Sequence, residues 1–387
     1  MLHKVVSFVC FVGFVLIHLV HEGYPQAQTE QNVSLKEQKE GRTLLVISAT
    51  LSGLSLYGPG TARLLEVESG AQIAGLEMLI GGGSFVGALL ATRNHRLGAG
   101  RSSLILSGSL AGTLYGFGVP VLFESENDKA YFASAMLATP IGGFLAHRLS
   151  SHRWFNEGES HTISRGGLVG GLYGLAIPYL VNIDDLEDWT QDKIYVTSAM
   201  IGVPAGAWTT AKLIYNKPIN EGRASLISLG GSIGSAYSVA ILSLTDVEAS
   251  RPYVLAAMLG LPVGTYLGYK LTAAEAYTSG RAILIQVGAC AGALFGSGFP
   301  LLADTQSHEP YVVASILGSG AGMWLAHRLT RGWGETAPFA KNNLIPKSEK
   351  FAVSLPSVNE WFTLGLMALR KPTFMANFPV ELVRISF

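Results

Sequence analysis

Apolar residues occur in long runs along most of the chain, and short polar stretches separate the runs. Between residues 41 and 331 the runs come in pairs. Each run is roughly 17 to 21 residues long, which is close to the minimum for a helix that crosses a bilayer. We therefore predict an all-α membrane protein with ten spanning helices, arranged as five tandem helical hairpins over residues 41–331.

The five hairpins begin with a recurring glycine. These glycines open the successive apolar pairs and are Gly41, Gly100, Gly158, Gly222 and Gly280. The last four are separated by 58, 64 and 58 residues, and the longer interval contains an extended acidic loop at residues 182–193. A fixed period of this length is typical of a repeat architecture.

Small residues recur every fourth position in the first helix of each later hairpin, so they share one helix face. The glycines of this pattern are Gly108, Gly112, Gly116, Gly166, Gly170, Gly174, Gly230, Gly234, Gly288, Gly292 and Gly296. The second helices carry a matching pattern, which begins with Gly83 and Gly87 in the first hairpin. Faces without side chains let helix backbones approach closely in lipid. We predict a glycine zipper within each hairpin.

Several apolar residues of 227–241 share one parity, a pattern that also fits a strand. The equivalent stretches 103–122 and 282–301 lose that alternation but keep the four-residue spacing of small residues. Helix is therefore the prediction, and the prolines at Pro140, Pro204 and Pro262 should kink the second helices.

A basic residue closes every second helix, and a Tyr opens four of the five. The bases are Arg93, Arg148, Lys212, Lys270 and Arg328. Aromatic and basic residues at the two ends of a span are the usual anchors at the membrane interface. His147-Arg148 and His327-Arg328 occupy equivalent positions, and a contact with an anionic lipid or phosphate is the alternative to this anchoring role.

Charge is segregated although 27 basic residues balance 27 acidic ones. Loops inside hairpins are acidic, and the segments between hairpins, in which we count Arg165, are basic. Basic loops predict a cytoplasmic side, but residues 1–28 resemble a signal peptide or an uncleaved anchor that would export them. An outer membrane of the cell envelope, favoured over the inner membrane, resolves this conflict.

The C-terminal residues 332–387 form a different segment. Prolines interrupt short apolar runs there, which predicts short strands or coil. Val383, Ile385 and the terminal Phe387 alternate, as outer-membrane assembly signals often do. Outer-membrane proteins are typically strand barrels, however, which the predicted helices do not supply.

No catalytic, cofactor-binding or metal-binding constellation is predicted. The histidines on the basic side match no ligand spacing for a metal, and the glycine-rich runs lack the context of a phosphate loop. The spans are nearly free of ionisable residues, with Glu77 as the clearest exception, and this scarcity argues against ion-coupled transport. The balanced charge argues against nucleic acid as a partner.

A non-enzymatic integral envelope protein with a structural or assembly role is the function that these features favour. The alternative is a passive channel or transporter lined by small polar residues. The candidates for that lining are Ser107, Ser109, Thr113, Ser225, Ser228 and Ser232. Membrane lipid is the expected partner, and self-association into a homo-oligomer is left open.

Overall fold

The structure is a computed structural model. It describes residues 35–93, 97–153, 155–181, 183, 188–215, 217, 219–245, 247–273, 275, 277–332, 352–353 and 385–386. The predicted signal peptide or anchor at residues 1–28 lies outside the described residues. The repeat region and the C-terminal segment form separate compact units, which divide at residues 335 and 336.

The described part of the repeat region is entirely helical. Its helices are α1 (Leu35–Ser52), α2 (Gly58–Leu64), α3 (Gly70–Ala91), α4 (Ala99–Leu122), α5 (Asp128–Leu149), α6 (Glu157–Val181), α7 (Asp188–Leu213), α8 (Glu221–Leu242), α9 (Ser250–Leu271), α10 (Ser279–Leu302) and α11 (Glu309–Leu329). A π-helical turn, Gly53–Tyr57, joins α1 to α2, and a short 3₁₀ turn, Ser150–His152, follows α5. The α-helical prediction is confirmed.

Consecutive helices pack against each other in pairs. Pair 1 combines α1 and α2 with α3, and the later pairs are α4 with α5, α6 with α7, α8 with α9 and α10 with α11. The first helix of each pair also contacts the first helix of the next pair. In pairs 1 to 4 it contacts the next pair's second helix as well. The pairs therefore form a row in which the first helices are the shared elements.

Local chemistry sets the helix boundaries. Asn156 and Glu159 form a reciprocal capping box at the start of α6, in which each side chain accepts a hydrogen bond from the other residue's backbone N–H. Just after the C-terminal end of α4, Glu124 has a φ of 54°, and the Ser125 N–H donates to the Pro120 carbonyl at 3.0 Å. This αL turn satisfies the carbonyls that the end of the helix leaves open.

The π-helical turn in pair 1 accommodates one extra residue. Sixteen positions separate Gly41 from Tyr57, whereas fifteen separate Gly100 from Tyr115 and Gly158 from Tyr173. A π turn adds one residue to the backbone loop that each hydrogen bond closes, and the Gly58 N–H donates to the Gly53 carbonyl across this wider loop. The insertion is thereby absorbed before Tyr57.

Among the residues that the structure describes, six helices are long and apolar enough to cross a membrane. They are the segment Gln38–Leu64, which runs from α1 through α2, and the helices α3, α4, α8, α9 and α10. The prediction of ten spans is therefore supported only in part, since α5, α6, α7 and α11 do not meet the same criterion. The first helix also begins before Gly41, at Leu35.

The C-terminal unit contains two described strands. They are β1 (Ala352–Val353) and β2 (Ile385–Ser386), which pair antiparallel with Val353 opposite Ile385. Short strands are among the structures that the sequence predicts for residues 332–387.

Candidate functional site

In pairs 2 to 5, the contact between the two helices lies along the glycines of the first helix. A Cβ atom built on any of the eleven glycines named for the first helices would fall within 3.0 Å of an atom of the paired helix. Gly292, for example, lies against the Gly318 carbonyl, and Gly296 lies against the Ala314 carbonyl. These partners run in opposite sequence order along the two helices, so the helices of a pair are antiparallel.

Pair 1 departs from the predicted pattern. Nothing lies within 4 Å of a Cβ built on Gly83 or Gly87, so their assignment to the contact face is wrong. Gly81 faces the Leu54 side chain instead, and Gly58 faces the backbone of Glu77. The extra residue taken up by the π turn gives this first helix its own register.

The starting glycines pack against the connection that leads into the next pair. Gly100 lies against the Phe155 carbonyl, and Gly158 lies against the Ile219 carbonyl. Gly41 and Gly222 make the same contact with the connections that follow them, whereas Gly280 has nothing within 4 Å. The first helix of a pair therefore needs a glycine at this starting position wherever another pair follows it.

A tyrosine hydroxyl crosses each of the four junctions between pairs. Tyr57 donates to the Met136 carbonyl at 3.0 Å, and Tyr115 donates to the Met200 carbonyl at 2.6 Å. Tyr173 donates in the same way to the carbonyl of Met258. The last junction is less regular, because Tyr237 contacts both the Ile316 carbonyl, at 3.2 Å, and the Ser319 hydroxyl.

Prolines explain which carbonyls accept these bonds. A proline has no N–H, so the carbonyl four residues before it loses its helical partner. Pro140 frees the Met136 carbonyl in this way, and Pro204 frees the Met200 carbonyl. Pro262 stands in the same relation to the acceptor of the third tyrosine. Each of these freed carbonyls therefore accepts a hydrogen bond from the preceding pair.

The two ends of the row lack this bond. The arginine contacts Arg42 to Leu89 and Arg101 to His147 align α3 with α5, so Gly82 replaces the proline in α3. Phe295 replaces the tyrosine in α10. Within the described residues, no pair precedes α3's pair and none follows α10's. Gly320 replaces the proline in α11 and keeps its N–H. The four tyrosines were not singled out from the sequence, although their spacing follows the repeat and would have revealed them.

Ion pairs link neighbouring pairs at the end where the acidic loops lie. Lys129 pairs with Glu66 of the preceding pair, and Lys193 pairs with Glu124. Arg63 contacts Asp128 at 2.5 Å. The hydrogen bond from Lys129 lowers the pKa of Glu66 below its ordinary value. All these groups are partly exposed, so each pair contributes little stability on its own.

The basic end carries two kinds of cation. The predicted anchors Arg93, Arg148, Lys212, Lys270 and Arg328 are all exposed at or just after the ends of second helices. Three of them lie over a ring one turn earlier: Lys212 over Trp208, Lys270 over Tyr266 and Arg328 over Trp324. This arrangement suits an interface between lipid and water.

Arginines at the starts of first helices are turned inward instead. Arg281 is 3% exposed, pairs with Glu275 at 2.8 Å and approaches His327 Nδ1 at 3.5 Å. The hydrogen bond from Arg281 lowers the pKa of Glu275. Arg101 likewise donates to the His147 carbonyl at 3.4 Å. Both histidines of the candidate phosphate contact therefore touch the first helix of their own pair.

Two candidate channel residues face the interior of a pair. The Thr113 and Thr139 hydroxyls are 2.7 Å apart, and the Ser109 side chain lies against Gly143. Ser107 and Ser225, in contrast, make contacts between neighbouring first helices: Ser107 donates to Ser164 at 2.7 Å, and Ser225 accepts from Gln286 at 2.5 Å.

The assignment of Arg165 to a basic segment between hairpins is wrong. It lies inside α6, two turns from the start of the helix, and its side chain donates to Ser232 of α8 at 2.9 Å. Arg165 and Glu77 are therefore both ionisable residues within helices of the row.

No group of three or more His, Cys, Asp or Glu residues suited to a metal ion occurs within the described residues. Comparison of the chain with family models, with curated proteins and with solved structures gives no match. The contacts within and between the helix pairs are therefore the basis on which a function is proposed.

Proposed function

We propose that the chain is a non-enzymatic integral membrane protein of the cell envelope, in which five helical hairpins form a row with a structural or assembly role. The observation that carries this proposal is the tyrosine contact at each of the four junctions. The tyrosine occupies the same position of the repeat at each junction, and the last pair has Phe295 at that position.

A glycine zipper is the proposed means by which each hairpin holds together. Its support is the position of the glycines, since a side chain at Gly112, Gly170 or Gly234 would overlap the backbone of the paired helix. Lipid offers no hydrophobic driving force for helix association, so close backbone packing must supply it. Large apolar side chains such as Leu110, Leu172 and Leu294 point outward, where lipid would cover them.

The envelope location rests on sequence features together with the separation of charge. Acidic groups and their lysine partners lie at one edge of the row, where the loops within pairs are. The aromatic and basic anchors lie at the opposite edge, where the connections between pairs are. Both edges are then suited to membrane interfaces. The conflict between an exported N-terminal segment and basic loops favours an outer membrane, with the inner membrane as the alternative.

Fractionation of native membranes tests this proposal directly. The full chain should remain with membranes after washing at high salt and at alkaline pH, and it should be released only by detergent. Separation of inner from outer membranes then assigns the location. Recovery of the chain in the soluble fraction would contradict the proposed function.

Passive conduction is the second candidate, and one set of contacts favours it. Polar side chains lie between neighbouring first helices, where Ser107 meets Ser164, Ser225 meets Gln286 and Ser232 meets Arg165. Ser109 and Thr113 face the inside of their own pair, so they are not available to line a path between neighbouring first helices. Flux of a small solute out of liposomes that contain the purified protein would promote this candidate above the structural role.

A further inference from the structure

Arg165 lies at membrane depth if the row spans a bilayer as proposed. Its helix α6 packs between α4 and α8, and both of these neighbours are long and apolar enough to cross a membrane. Eight residues separate Glu157 from Arg165, which corresponds to about 12 Å along the helix. The Cα atom is therefore well inside the row and not at its basic edge.

The side chain of Arg165 points further inward. Its Nη2 atom donates to the Ser232 hydroxyl at 2.9 Å, and Ser232 lies half-way along the 22-residue helix α8. A lysine or arginine on a lipid-facing surface normally extends its charge toward the nearest interface. The guanidinium of Arg165 does the opposite, and a neutral hydroxyl does not balance its charge.

Other polar residues share the exposed face of α6 and α8 with Arg165. His161 precedes Arg165 by one helical turn and is exposed with it, as is Ser232. The Ser107 to Ser164 contact lies beside them at the neighbouring junction. Further along α6 the same exposed face becomes apolar at Leu168 and Leu172. The polar patch is thus limited to the half of the face nearer the basic end.

Nearby carboxylates are engaged elsewhere. Glu159 is buried and accepts a hydrogen bond from Arg153 at 2.7 Å, and Glu221 accepts one from Ser279. Charged residues inside membranes pair with one another, face water or mark a site for a ligand. Within the described part of the chain, Arg165 has a serine as its hydrogen-bond partner and is accessible on the outside.

We propose that Arg165, Ser232 and His161 bind a phosphate group on the exposed face of the first helices. The planar guanidinium offers two parallel N–H donors that match two oxygens of a phosphate, and the Ser232 hydroxyl adds a third donor. The phosphate belongs either to the head group of an anionic lipid or to a free phosphate ion. This inference rests on the proposed membrane location.

The test uses the purified full-length chain and two ligands, phosphatidylglycerol and inorganic phosphate. Binding is measured by native mass spectrometry for the lipid and by equilibrium dialysis for the ion. Arg165→Gln should weaken binding at least tenfold. Arg165→Lys should weaken it less, because lysine keeps the positive charge and loses only the two parallel N–H donors of the guanidinium. Lys193→Gln, which removes a cation at the acidic end, is the matched control and should leave binding unchanged.

Loss in the lipid arm assigns a head group, and loss in the ion arm assigns a free phosphate; either loss supports the proposal. Equal binding by the wild type and Arg165→Gln, with both proteins folded, overturns it while the membrane location stands. If Arg165→Gln does not fold, Ser232→Ala decides, with an expected weakening of about threefold, and unchanged binding there overturns the proposal. A chain recovered as a soluble protein overturns both proposals together.

Discussion

The tyrosine contacts between pairs predict a specific energetic coupling between two residues in different pairs. Tyr115→Phe removes the hydroxyl that donates to the Met200 carbonyl at 2.6 Å and keeps the ring. Pro204 prevents that carbonyl from finding a helical partner. An unsatisfied polar group away from water costs about 1–3 kcal/mol, and hydrogen bonds between membrane helices average about 0.6 kcal/mol. We expect a loss of about 1–2 kcal/mol in the free energy of unfolding.

Pro204→Ala provides the decisive second variant. Alanine restores the N–H at position 204, so the Met200 carbonyl regains a bond inside α7. Tyr115→Phe should then cost less in the Pro204→Ala background than in the wild type. The double-mutant cycle should show a coupling energy of about 0.5–1.5 kcal/mol, in the lower half of the range of about 0.5–3 kcal/mol for residues in one hydrogen-bond network.

Unfolding of the purified chain in mixed micelles, followed by circular dichroism over a denaturant titration, gives the four free energies. Tyr237→Phe is the matched control, because the Ile316 carbonyl keeps the N–H of Gly320 and should tolerate the loss better. A coupling energy of zero between Tyr115 and Pro204 would refute the reasoning. So would an equal cost for Tyr115→Phe and Tyr237→Phe.

Three further predictions follow from the same contacts. Gly292→Ala should lower the thermal stability in detergent, because its Cβ would overlap the Gly318 carbonyl. Gly298→Ala, in the same helix, has open space and should be neutral or stabilising by up to about 1 kcal/mol. Equal effects of the two substitutions would contradict the zipper. The lowered pKa of Glu275 means that its ion pair stabilises the fold above the ordinary carboxyl pKa of about 4.3 and is lost as pH falls through the folded-state value. Glu275→Gln should therefore weaken the loss of stability on acidification, and Glu126→Gln should not; unchanged acid sensitivity of Glu275→Gln would rule out this role. Liposomes containing the purified chain should show no solute uptake driven by a proton or sodium gradient, and accumulation against a gradient would redirect attention to Glu77 and Arg165.

The sequence was sufficient to predict the helical class and the repetition of the helices. These features depend on local spacing, since a four-residue period of small residues places Gly108, Gly112 and Gly116 on one face whatever surrounds the helix. The register of pair 1 could not be read in the same way. Gly83 and Gly87 fit the pattern, yet the extra residue before Tyr57 moves the contact to other glycines.

The contacts between pairs were harder to predict because they join residues far apart in the sequence. Tyr115 and Met200 are 85 residues apart, and nothing near either residue indicates the other. Arg165 shows a related difficulty: a base soon after a starting glycine resembles a loop residue until the helix is seen to begin at Glu157. Comparison of equivalent positions across the copies would have revealed the tyrosines, but it would not have shown the direction of the Arg165 side chain.

Differences among the copies limit the length of the row more clearly than the shared pattern does. Gly280 keeps the starting glycine, but Phe295 replaces the tyrosine that would donate to a following pair. In α3, Gly82 replaces the proline that would free a carbonyl acceptor. If a second chain continued the row after α11, neither partner of the tyrosine contact would be present at that junction. Terminal copies that differ from the interior ones are typical of repeat proteins. We therefore expect that association between copies of this chain, where it occurs, does not use the tyrosine contact.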